Sequence, residues 1–192
     1  VMFFIMSVIY FSFLWSEKLF NEASLEYSDD LDRAIEKTEN ASRYFQSTDY
    51  YIGLSQLYLI KAADIFDNNW DLSENVKEQK EENEKNMKVL ASQAEVTAER
   101  ATIIDKYNYL AWQNLGLIYE NTSYLVNDNT DKAIEAFNKA LELSPKNYLA
   151  RIAKGRIYEE NKKKDEAKEE YIKAMEICPD CEGLKEKIES LD

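Results

Sequence analysis

Two thiols and a scatter of carboxylates are the side chains of this 192-residue sequence whose types and spacing could do chemistry. Cys178 and Cys181 enclose Pro179 and Asp180, a Cys-Pro-Asp-Cys quartet. Two thiolates are half of a tetrahedral zinc site, and the chain has no histidine and no third cysteine to complete it. A redox dithiol needs its nucleophile at a helix N-terminus, where the dipole lowers the thiol pKa, and Cys178 is expected at the opposite end of a helix. Three readings stay open: two inert thiols, a local disulfide in an exported domain, or a metal shared between chains. Adjacent carboxylates such as Glu159 with Glu160 and Glu169 with Glu170 read as solvated faces of acidic helices. Without histidine, imidazole ligands and His-dependent acid/base chemistry are excluded. The sequence also lacks a phosphate-cradling glycine loop and a serine-nucleophile motif. No catalytic residue, cofactor or resident metal is expected.

The elements that would position these residues are helices. Four glycines and two prolines are few for this length, and the apolar residues recur at helical spacing. From 109 to 145 the chain reads YLAWQNLGLIYENTSYLVNDNTDKAIEAFNKALELSP. Trp112, Leu115, Gly116 and Tyr119 share one helix face; Ala133, Phe137 and Ala140 share another, and Pro145 ends it. Small residues where two helix axes meet, here Gly116 against Ala133 and Ala140, allow a close hairpin. The pattern returns at Gly155, Tyr158, Ala167, Tyr171, Ala174 and Pro179, in the frame of 34 positions set by Ala133 to Pro145. Residues 120–130 are a polar loop, with Asn129 or Thr130 capping the next helix.

This signature resembles the tetratricopeptide repeat, and the resemblance extends from Glu17 to Asp192. It implies an all-α, right-handed superhelical solenoid of about three to four helix-turn-helix hairpins that binds proteins and does not catalyse. The units fall at about 17–45, 48–107 with a long insertion, 109–147 and 148–181, followed by a capping helix over 182–192 with Leu184, Ile188 and Leu191 on one face. In the first unit, Phe20, Ala23, Ser24 and Tyr27 mimic one helix and Leu31, Ala34, Ile35, Thr38 and Ala41 the next. In the second, Tyr51, Leu54, Ser55 and Tyr58 precede a break at residues 67–71 and one long helix from about Ser73 to Ile104, polar in its first half. Arg151 and Lys154 stand where the family carries Trp-like and Leu-like residues, which loosens the packing expected there.

Stacked hairpins offer a concave face lined by the first helix of each unit. In this frame the inward positions are Ile52, Gln56 and Leu59; Leu110, Gln113, Leu117 and Glu120; and Leu149, Ile152, Arg156 and Glu160. Their mixture of apolar and amide groups suits an extended or helical peptide. The family's carboxylate clamp needs several Lys, Asn and Arg here, and Arg156 alone qualifies.

Residues 1–15, VMFFIMSVIYFSFLW, carry no charge and read as the end of a transmembrane helix, with Tyr10 and Trp15 near its exit. In the turns that follow, Lys18 and Arg33 are the only positive charges, which favours a membrane-anchored chain with its repeat domain outside the cytoplasm. The formal charge of −13 disfavours nucleic acid as a partner. The layout, an apolar exit helix, the YYIGLSQLYL helix at 50–59, an insertion and a W-x-x-L-G-x-x-Y helix, also resembles the C-terminal region of bacterial O-antigen ligases and polysaccharide polymerases. That resemblance implies an accessory domain of a membrane enzyme, with the glycan chemistry elsewhere.

Overall fold

Alanine dominates the interior: Ala34, Ala41, Ala91, Ala94, Ala98, Ala101, Ala111, Ala133, Ala140, Ala150, Ala167 and Ala174 are all fully buried. A methyl side chain at the contact line lets helix axes approach closely, and larger neighbours fill the flanks. The computed structural model describes residues 2–26, 29–70, 77–126, 128–181 and 183–191. The described elements are α-helices: α1 (Met2–Glu26), α2 (Leu31–Tyr44), α3 (Thr48–Trp70), α4 (Lys77–Ile104), α5 (Tyr109–Thr122), α6 (Thr130–Leu143), α7 (Tyr148–Glu160), α8 (Lys164–Ile177) and α9 (Leu184–Ser190). They form two compact units, Val1–Asp105 and Lys106–Asp192.

In the first unit α1 pairs with α2, α2 with α3, and α3 with α4. Asp30 caps α2, its carboxylate accepting from the backbone N–H of Arg33 at 3.0 Å. Lys37 on α2 reaches Glu22 and Glu26 of α1 at 2.9 and 2.8 Å. Tyr58 of α3 donates to Glu39 of α2, and Lys61 pairs with Asp32. Ser16, fully buried, stands 3.1 Å from the Tyr50 hydroxyl, which donates to Glu17 at 2.6 Å. These bonds register three helices against one another.

Three expectations for this unit are corrected. The apolar run is not a separate membrane-type helix ending at residue 15: it is the first part of α1, which continues without a break to Glu26. Among the described residues no helix is long and apolar enough to cross a membrane. The physical reason is that Ser16, Glu17, Lys18, Glu22 and Glu26 put polar groups into the second half of α1 while its backbone stays helical. The break placed at residue 67 is also absent, because α3 runs on to Trp70. The apparent insertion is therefore an elongated hairpin: α3 has 23 residues and α4 has 28, against 14 each in α5 and α6. Residues 71–76, where the long helix was expected to begin, lie outside the described residues.

In the second unit α5 pairs with α6 and α7 with α8, while α6 meets α7 and α9 closes on α8. Gly116 faces the ring of Phe137, where an added Cβ would lie 2.7 Å from the ring; Gly155 faces Tyr171 at 2.5 Å. Each glycine thus opens a slot for an aromatic ring, and Ala133 and Ala140, expected against Gly116, are buried elsewhere along α6. The loop before α6 is shorter than expected, since α5 extends to Thr122. Asn129 makes no side-chain cap bond; Asp128 accepts from the Thr130 N–H at 3.1 Å instead. The capping helix α9 buries Leu184 and Leu191 against Ala167, Tyr171 and Ala174.

Candidate recognition surface

The expected binding residues belong to the two units separately. In the second unit, asparagines set the starts of the first helices: Asn108 accepts from the Leu110 N–H at 3.0 Å, and Asn147 from the Ala150 N–H at 3.2 Å. Asn147 then uses its amide nitrogen to donate to Gln113 at 2.7 Å, tying α7 to α5 across 34 residues. One turn from the other end, Arg156 grips Glu120 through two parallel bonds of 2.6 and 2.8 Å. The Glu120 carboxylate beside it raises the guanidinium pKa further.

Leu110, Gln113, Leu117, Glu120, Leu149, Ile152, Arg156 and Glu160 therefore lie on the neighbouring helices α5 and α7, but Gln113, Glu120 and Arg156 already bond within that pair. Arg156 is not a solitary cation. Leu110 and Leu149 remain 47% and 51% exposed, whereas Leu117 and Ile152 are half-buried, Ile152 packing against the Tyr171 cluster. The surface left to a partner presents Leu110 and Leu149 beside Gln113, Glu120 and Arg156, which are already bonded, and the exposed Glu160.

In the first unit, of the expected trio Ile52, Gln56 and Leu59, Gln56 alone lines a cleft of about 380 Å³ between α1 and α3. Its other walls were not anticipated: Phe20 and Ser24 from α1, Thr38 from α2, and Gly53 and Ile60 from α3. Gly53 approaches the Phe20 ring so closely that a Cβ would sit 2.9 Å from it. The 33-residue separation of those two positions is the one signal in the sequence that could have located the cleft. A broader hollow of about 710 Å³ lies on α4 beside Tyr58, lined by Lys85, Val89, Ser92 and Val96.

The groups considered for catalysis are otherwise engaged. Cys178 and Cys181 are joined as a disulfide with their Cα atoms 5.4 Å apart, closing the turn between α8 and α9. The reading of the acidic pairs as solvated is corrected for one member of each. Glu170 is buried and receives Lys154 at 2.8 Å and Arg151 at 3.2 Å. Glu159 receives Tyr171 at 2.7 Å and Lys187 at 2.6 Å. The Lys187 ammonium, then the Tyr171 hydroxyl, holds the Glu159 pKa below its ordinary value. Among the described residues no three potential ligands gather as a metal would require.

A family model described as tetratricopeptide repeat matches residues 125–186, from the turn before α6 to α9. Among solved structures the chain is similar to MamA, at 21% identity and TM-score 0.61, over 84% of this chain and 77% of that one. It is also similar to the Arabidopsis OM64 TPR domain, at 19% identity and TM-score 0.55, over 77% of this chain and 98% of that one. No curated protein matches the sequence. The likeness is one of fold: helical hairpins of the tetratricopeptide kind. The resemblance to O-antigen ligases and polymerases gains no support from these matches.

Proposed function

We propose that this chain is a non-catalytic interaction scaffold that holds a polypeptide against the first helices of its hairpins, and that the apolar part of α1 keeps it at a membrane. The observation that carries the binding reading is the pair Leu110 and Leu149, about half exposed on adjacent helices whose polar neighbours are already bonded to each other. Burying apolar surface there releases about 25 cal/mol per Å², and Gln113, Glu120 and Arg156 need not be desolvated unpaired. An extended or helical peptide with apolar anchors fits that chemistry. Scaffolding is also what the tetratricopeptide likeness suggests.

Membrane association rests on Phe11, Phe13, Leu14 and Trp15, all exposed on α1, following ten residues that carry no charge. Lys18 lies over the Trp15 ring at 5.0 Å, an arrangement at home at a lipid–water boundary. The shortage of positive charge after this run supports a non-cytoplasmic side for the repeats in this reading.

Selection of peptides from a displayed library on the intact chain tests the recognition surface. Peptides with apolar anchors should be recovered, and Leu110→Asp with Leu149→Asp should abolish their capture while the melting temperature stays within a few degrees. Equal capture by that double variant would place recognition elsewhere.

A further inference from the structure

We infer that the corner between α2 and α3 is a second lipid contact, so that Tyr44 and Phe45 rest in the interface of a neutral bilayer at the same depth as Phe11, Leu14 and Trp15 of α1. This rests on the membrane reading above and gives it a geometry. α2 runs back along α1 and ends where Phe45 meets Phe13 edge-on, with ring centroids 5.3 Å apart. Tyr44 is 54% exposed and Phe45 37%, at the level along α1 where Phe11 is 65% and Leu14 47% exposed. Large apolar side chains from two elements thus gather at one end of the unit, which a soluble surface rarely tolerates.

The patch is held rigidly. α1 is continuous through it, and one turn behind lie the fully buried Ser16 and the Tyr50–Glu17 bond that locks α3 to α1. The first charges stand behind the same level: Glu17 and Lys18 on α1, Arg43 on α2 and Asp49 on α3. Ahead of the corner α1 projects by residues 2–12. Residues 2–12 carry no charge, so this part of α1 can enter the hydrocarbon and bring the corner down to the headgroups. Residues 1–105 carry 20 acidic and 10 basic side chains, so an anionic lipid surface would repel the unit and a zwitterionic one is the fitting occupant.

The test uses the full chain on phosphatidylcholine vesicles with lipids brominated near the carbonyl end of the acyl chain. A fluorophore attached through Phe45→Cys, in a Cys178→Ser/Cys181→Ser background, should be quenched, and one attached through Glu36→Cys on the exposed face of α2 should not. Tyr44→Ser with Phe45→Ser should weaken partitioning roughly tenfold, with the thermal transition unchanged. Vesicle binding without quenching at position 45 would mean a loose tether through α1 and would overturn the corner contact alone. Failure to bind vesicles at all would overturn the membrane reading with it. If the label at 45 is shielded without lipid, in proportion to protein concentration, the patch joins two copies of the chain and the lipid contact is wrong.

Discussion

Gly116 and Gly155 each leave a slot that an aromatic ring from the opposing helix occupies, Phe137 in one hairpin and Tyr171 in the next. Both rings are fully buried and belong to packed helices, so neither can swing aside. Gly116→Ala and Gly155→Ala should therefore each destabilise the second unit by about 1–3 kcal/mol, although alanine is the better helix former, as read by urea denaturation. Lys154 makes the opposite point about charge. Its ammonium and the Arg151 guanidinium neutralise the buried Glu170. Lys154→Leu alone leaves that carboxylate with one partner and should cost about 3 kcal/mol, whereas Lys154→Leu with Glu170→Leu should recover most of the loss. Tyr50 responds to pH. Burial, then its bond to Glu17, raises its pKa from 10.0 to about 12. The folded state holds the phenol proton more tightly than the unfolded chain does, so this stabilisation is complete below pH 10 and disappears as pH rises toward 12. Alkaline titration followed by circular dichroism should show a loss in that window that is smaller in Tyr50→Phe.

At the scale of elements, the long α3–α4 hairpin shows how a repeat absorbs additional residues: both helices lengthen, and Met87 and Leu90 carry the buried stripe of α4 beyond the ordinary repeat length. The polar run 77–86, expected as the first half of one long helix, is helical along a lengthened neighbour although it carries almost no apolar stripe. The cap α9 is the weaker kind of element, with seven residues. It is held by Leu184 and Leu191 and by Lys187 bridging to Glu159 and Tyr171. The Glu159 pKa lies below the ordinary 4.5, so its contribution is present above that value and is lost as pH falls through the lower, folded-state one. Amide exchange in α9 should accelerate on acidification below about pH 4.5 while α5 stays protected. Glu159→Gln should remove that pH dependence.

At the scale of the whole molecule, the acidic excess is unevenly spread, with 17 acidic against 14 basic residues after Asp105 and twice as many acidic as basic before it. Turbidity should peak near the isoelectric point of about 4.6, and the chain should not be retained by DNA at physiological salt. The helical class, the hairpins after Tyr109 and the final cap were legible from residue order, because the alternation of small and large side chains at helical spacing is a local property that helix–helix packing requires wherever it occurs. The sequence likewise excluded imidazole chemistry by composition alone. What depended on the tertiary structure were partnerships between residues far apart in the chain: Arg156 with Glu120, Glu170 with Lys154, Phe20 with Gly53, and Phe13 with Phe45. Each converts a side chain that looks free in one dimension into one that is spent, or gathers exposed rings into a surface. Those outcomes follow from how the helices cross, which no local spacing specifies.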